Sequence, residues 1–164
     1  MASIGPSSPT LALRTAMEAG DVAGIVDSFA PDAVLHSPFT SKLVFTGREQ
    51  IGPVVEVILE ILQGLRYTEE VCSGDTGFLV SEARVGNLDI QIVDYYRLGA
   101  RGKIQEFTVF FRPLPATAAA LRRIGAGLGR RHSPARGALV SALAAPMAVM
   151  ARTGDSLGVR LVRP

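Results

Sequence analysis

Asp94 stands where an apolar side chain would be expected. In the segment Leu88–Leu98, LDIQIVDYYRL, strand alternation puts Leu88, Ile90, Ile92, Asp94, Tyr96 and Leu98 on one side and Asp89, Gln91, Val93, Tyr95 and Arg97 on the other. A carboxyl group on that apolar side loses hydration, which raises its pKa toward a range useful for proton transfer. The structural alternatives are a buried acid bonded to a Tyr, His or Arg of a neighbouring element, or a bulge that turns it outward. His36 titrates near neutrality, with an ordinary pKa of about 6.5, and is a candidate proton relay; a lone His also serves as a structural hydrogen-bonder. Tyr67 and Tyr96 are candidate donors to a carbonyl or enolate oxygen, unless they are core tyrosines with satisfied hydroxyls. An Asp–His contact across a pocket would make an acid–base pair.

These residues need a scaffold. The block 77–113, GFLVSEARVGNLDIQIVDYYRLGARGKIQEFTVFFRP, reads as three strands joined by tight turns. With a preceding strand, the expected meander is Leu65–Ser73, Phe78–Val85, Leu88–Leu98 and Ile104–Arg112. On Phe78–Val85 the face Leu79, Ser81, Ala83 and Val85 is apolar with small side chains that leave room for a ligand. Glu82 and Arg84 take the opposite, solvent face. Upstream, Ser8-Pro9 starts a helix that Gly20 ends, and Asp21 caps a second helix carrying Val22, Ile25, Val26 and Phe29 that Pro31 stops. Ala33–Ser37 and Leu43–Thr46 are short strands. Thr46-Gly-Arg-Glu49 matches a capping box ahead of a helix over Arg48–Gln63, with Pro53 a possible kink and Gly64 its end. This order is an α+β plan.

Composition narrows the function classes. At 164 residues with 48% hydrophobic residues, the chain fits one folded domain plus an extension. Cys72 is the single cysteine, which excludes an intrachain disulfide and fits a reducing, cytoplasmic compartment. The opening MASIGPSSPT lacks the basic and apolar regions of a signal peptide. Two His and one Cys without ligand spacing indicate no metal site, and no phosphate-loop spacing or other cofactor motif occurs. No zinc-finger or RNP-like pattern points to nucleic acid.

The net charge of +2 hides an asymmetry. Residues 1–112 hold 9 Lys and Arg against 14 Asp and Glu, whereas residues 113–164 hold 8 Arg and one acid, Asp155. The tail reads as an Ala-rich helix over 116–128, a linker GLGRRHSPARG, an apolar helix over 138–152 interrupted by Pro146, and an apolar strand or coil over 157–162. Its longest apolar run, Gly137–Ala151, is 15 residues, short of the roughly 20 that span a bilayer. The tail has three readings: a cover over a pocket, an extension of a dimer interface, or a membrane contact with Arg136 and Arg152 at the helix ends. The first two hide the apolar face without a further partner and are preferred.

With the elements placed, the chain resembles the nuclear transport factor 2-like superfamily, in its SnoaL-like branch. The resemblance rests on Ala19-Gly20-Asp21 followed by Phe29-Ala-Pro-Asp-Ala-Val-Leu-His36, on Phe45-Thr-Gly-Arg48, on Val93-Asp-Tyr-Tyr-Arg-Leu98, and on Gly102-Lys-Ile-Gln-Glu106 with Phe111-Arg-Pro113. It covers about residues 10–115, giving a domain over 1–115 and an extension over 116–164. The resemblance implies a cone, a curved mixed sheet packed with N-terminal helices around a cavity, commonly as a homodimer. The superfamily holds ketosteroid isomerases, limonene epoxide hydrolases, polyketide cyclases and non-catalytic members, so the residues must decide.

Cyclases and epoxide hydrolases of this kind place an acid on the last strand, five positions after its leading isoleucine. Here that position is Val109, flanked on the same face by Phe107 and Phe111, so the pocket wall there is apolar. Glu106 falls on the opposite face. The first short strand, with Leu35 and His36, often lines the cavity mouth in this superfamily. The resulting expectation is a pocket for an apolar small molecule, lined by Leu35, Ser81, Ala83, Phe107, Val109 and Phe111. Its chemistry would be cofactor-free isomerisation, cyclisation or epoxide opening of a polyketide-, steroid- or terpene-like compound. The alternatives are a non-catalytic carrier and an interaction protein that uses its basic tail.

Overall fold

A computed structural model describes residues 8–162, with side chains through residue 155. The reading of residues 1–7 as free of a signal peptide lies outside the described residues. Helix α1 (Leu11–Ala19) ends at Gly20, whose left-handed φ of +70° lets its N–H return to the carbonyl of Met17. Helix α2 (Val22–Ser28) is capped by Asp21, which accepts from the Gly24 N–H at 3.1 Å. Strand β1 (Phe29–His36) follows directly, so Phe29 opens a strand where the sequence suggested a helix end. Pro31 sits in the register shift between Phe29 and Val34, where a missing N–H breaks no regular ladder.

Strand β2 (Val44–Thr46) leads into helix α3 (Arg48–Ile61), which carries Pro53 inside it. The expected capping box does not form. Gly47 occupies the cap position without a side-chain bond, and Gln50 Oε1 accepts from the Thr46 N–H at 2.9 Å instead. Strands β3 (Leu62–Ser73), β4 (Thr76–Val85), β5 (Leu88–Leu98) and β6 (Ile104–Arg112) form the meander. They join β1 and β2 in a curved, open, six-stranded sheet of order β2-β1-β6-β5-β4-β3. Among the described residues only the β1–β6 pair is parallel. The fold class is α+β, as expected from the element order.

One face of the sheet carries the core. At one end α1, α2 and α3 pack Leu13, Ile25, Ile51 and Val55 against Phe29, Leu35, Tyr96 and Phe107. At the other end helix α4 (Leu114–His132) packs Ala116, Ala119, Ala120 and Ile124 against Ala83, Val85, Ile90 and Ile92. Ala83, expected at the pocket, is therefore buried beneath α4. The outer face is polar at Glu82, whose carboxylate lies 3.4 Å from the Arg66 guanidinium.

The tail departs furthest from expectation. Helix α5 (Pro134–Val162) follows α4 after the single non-helical residue Ser133, so neither the linker nor the terminal strand or coil exists. Ser133 caps α5 by accepting from the Arg136 N–H at 3.2 Å, and Pro134 opens it. The glycines that suggested a linker serve close packing: a Cβ on Gly129 would lie 3.0 Å from the backbone of Gly137. Continuous helix also lengthens the apolar segment. Pro134–Asp155, 22 residues of mean hydropathy 1.3 and 17% buried, is long and apolar enough to cross a bilayer by length and composition alone.

Candidate functional site

The sheet and the N-terminal helices enclose a cavity of about 50 Å³ between them. Leu13 and Met17 of α1, Val55 and Ile58 of α3, and Leu35, Phe107, Val109 and Phe111 of β1 and β6 supply its apolar wall. Three polar side chains reach it: Tyr67 of β3, Ser81 of β4 and Asp94 of β5. Pairing explains their grouping. Tyr67, Ser81, Ile92 and Phe111 form one cross-strand row, and Glu70, Leu79, Asp94 and Val109 form another.

Asp94 is 5% exposed. Among the described residues its carboxyl has no hydrogen-bond or ion-pair partner. Burial alone pushes its pKa up to about 8. At pH 7 only about a tenth of it is ionised, so the group is a carboxylic acid and a hydrogen-bond donor. The Tyr67 hydroxyl and the Ser81 Oγ are both buried, without a partner among the described residues. The Tyr67 phenol is held well above its ordinary pKa by burial, then by the charges of Asp94 and Glu18. It too stays protonated. An apolar chamber thus holds three unpaired O–H groups, a set suited to an oxygen atom that gains electron density, such as a carbonyl becoming an enol or enolate.

The other candidates lie elsewhere. His36 points to the outer side of the sheet, as β1 alternation dictates once Leu35 faces in. Its Nε2 is 3.5 Å from Glu106 Oε1, and Glu106 Oε2 is 3.3 Å from Arg97. No contact joins it to Asp94. Tyr96 faces inward but its hydroxyl donates to Glu70 Oε1 at 3.1 Å, so it is not an unpaired donor.

Glu70 is the residue that sequence reasoning missed. It is buried and collects the hydroxyls of Thr10, at 2.6 Å, of Ser8 and of Tyr96, with the Arg14 guanidinium at 3.4 Å. A register shift between Tyr67 and Glu69 puts both Tyr67 and Glu70 inside, where strict alternation would separate them. Arg14, buried on α1, was equally hidden within an apolar helical stripe. Nothing in the residue types at 68 and 69 announces the shift; the detectable signal was a lone Arg on the inner side of α1 needing an acid.

At about 50 Å³ the cavity is well below the ~300–1,000 Å³ of pockets that hold drug-sized ligands. A larger ligand must displace wall side chains, and Met17, partly buried and unbranched, is the most adaptable of those on α1.

Residues 11–107 match a family model described as a SnoaL-like domain. No curated protein matches the sequence significantly. The fold is similar to that of an uncharacterized bacterial protein with a cystatin-like fold from Silicibacter pomeroyi, at 25% identity and TM-score 0.70, covering 81% of this chain and 92% of that one. It is similar to a steroid delta-isomerase from Pseudomonas aeruginosa at 24% identity and TM-score 0.65, covering 80% and 96%. An NTF2-like protein of unknown function from Cytophaga hutchinsonii aligns at 16% identity and TM-score 0.53, covering 69% and 95%.

Proposed function

The chain belongs to the SnoaL-like family of the nuclear transport factor 2-like superfamily, and from that premise we propose that it is a cofactor-free isomerase or cyclase acting on an apolar polyketide-, steroid- or terpene-like ketone. The observation that carries the reading is the set of unpaired O–H groups of Asp94, Tyr67 and Ser81 in an otherwise apolar cavity. A neutral carboxyl group can serve both ends of a tautomerisation. Its O–H donates to the substrate's carbonyl oxygen while its own C=O takes the proton leaving the adjacent carbon, so the acid is regenerated and no co-reactant is needed. Tyr67 and Ser81 stabilise the negative charge that builds on the oxygen.

The test is deuterium exchange at the carbon next to the carbonyl, followed by NMR in heavy water across a panel of apolar ketones and enones. Wild-type protein should catalyse exchange, and Asp94→Asn should lower the rate by about 10²-fold or more. Equal rates in the two proteins would overturn the assignment. A second reading, a binding module without chemistry, is favoured by the near-continuous apolar wall and the placement of His36 outside it; it would bind the same compounds with no exchange.

The same reading includes a homodimer through the outer face of the sheet, where Val71, Phe78 and Phe110 are exposed and Phe78 packs on Tyr95 at a ring distance of 5.3 Å. Phe110→Asp should convert a dimer to a monomer in light scattering.

A further inference from the structure

The tail helices raise a separate question. Helix α5 lies against α4 through small side chains, Ala144, Ala148 and Ala151. Its large ones face away: Leu143 is 73% exposed and Met150 66%, with Leu139 and Met147 beside them. Positions 139, 143, 147 and 150 recur at helical spacing and form one apolar strip. Neither a pocket cover nor the fold's own core hides this strip.

The charge around it selects a partner. Arg122, Arg123, Arg130 and Arg152 line a groove between α4 and α5 with Ser141, Ala145 and Val149, on a flank of α5 beside the strip rather than within it. Arg136 stands in the first turn of α5, and the whole tail has the single acid Asp155. Among the described residues of the tail, only Arg131 forms an ion pair with the acidic domain, to Glu56 at 2.5 Å. Two such tails, each strongly positive, repel one another, which disfavours tail-to-tail pairing of two copies as the cover. An anionic lipid surface meets both demands: acyl chains for the strip and phosphates for the guanidinium groups.

Lying on the bilayer fits better than crossing it. Arg136 and Arg152 are sixteen positions apart, about 24 Å along a helix, less than the roughly 30 Å hydrocarbon core. Helix α4, alongside, is fixed to the sheet by Ala116, Ala120 and Ile124.

We infer that the α4–α5 hairpin docks the protein on anionic membrane surfaces, with α5 in the plane of the interface, Leu139, Leu143 and Met150 among the acyl chains, and the arginines on lipid phosphates. The experiment is vesicle flotation of the full chain with phosphatidylcholine alone and with added phosphatidylglycerol. Wild-type protein should float only with the anionic vesicles, and raised salt should weaken binding. The Leu143→Asp/Met150→Asp variant should lose about tenfold or more in partitioning with an unchanged melting curve, since both positions are exposed. Arg130→Glu/Arg136→Glu should do the same through charge. Failure of wild-type protein to float, or equal flotation of the Leu143/Met150 variant, overturns the inference. So does a vesicle-free oligomer of wild-type protein that the Leu143/Met150 variant dissolves, since a second copy would then cover the strip.

Discussion

Glu18 of α1 accepts the backbone N–H of Tyr67 at 2.8 Å. The bond falls beside the register shift of β3. It joins the helix that roofs the cavity to the residue that presents one of its hydroxyls. With the Arg14–Glu70 pair it clamps α1 over the site. Glu18→Ala should cost about 1 kcal/mol in chemical denaturation, and Glu18→Gln, which keeps an accepting oxygen, should restore most of it. Equal stability of the Ala and wild-type proteins would show that the clamp carries nothing.

Asp94 ties stability to pH with a defined sign. Its pKa is about 8 in the folded chain and about 3.9 in an unfolded one. The folded state therefore holds the extra proton, and stability falls as pH rises from about 4 to 8, then levels off. Asp94→Asn removes that loss. The variant should match wild type near pH 4 and exceed it by a few kcal/mol, in order of magnitude, above pH 8. Paired urea titrations across the range would check this; a gap that does not widen with pH would refute it.

Tyr67→Phe and Ser81→Ala remove buried hydroxyls that lack partners. Each should be neutral or stabilising by up to about 1 kcal/mol, yet each should weaken ketone binding or exchange by about tenfold. Thermal melts and exchange rates on the same samples separate the two effects. Reduced stability in either variant would mean that its hydroxyl is bonded in solution.

Arg14 and Glu70 should behave as a pair. Arg14→Met alone strands a buried carboxylate and should cost about 3–5 kcal/mol, while Arg14→Met/Glu70→Leu should recover much of that loss. Additive losses in the double variant would contradict a coupled pair.

His36→Ala should leave exchange within about twofold of wild type, because the imidazole sits on the outer side of the sheet with Glu106. A fall of tenfold or more would place the proton relay back at His36.

The meander and the inward position of Asp94 were legible because β5 alternates without interruption and short Gly-containing turns fix its neighbours. The outward position of His36 was also encoded, since Ala33 and Leu35 share the opposite parity. The superfamily resemblance, which set the first strand at the cavity mouth, obscured that signal. Glu70 was not legible: a shift of register at Tyr67/Glu69 reverses parity, and parity was the basis of the strand assignments. The α4–α5 hairpin was misread for a different reason. Gly127, Gly129 and Gly137 of the expected linker suggest flexibility, but a Cβ at Gly127 would sit 2.6 Å from the Val57 side chain. Tertiary contact, invisible in local sequence, decides what those glycines do.

The single residue between the two tail helices, Ser133, separates the helix packed on the sheet from the one packed on that helix. Helix α4 belongs to the folded core, because its Ala116, Ala119, Ala120 and Ile124 pack in one cluster with Val57 and Ile61 of α3 and with Ile90 and Ile92 of the sheet. Cutting at Ser133 would leave that cluster whole, whereas cutting at residue 115 would remove the α4 side chains from it. A trimmed protein ending at Ser133 should keep its cavity while no longer floating with anionic vesicles.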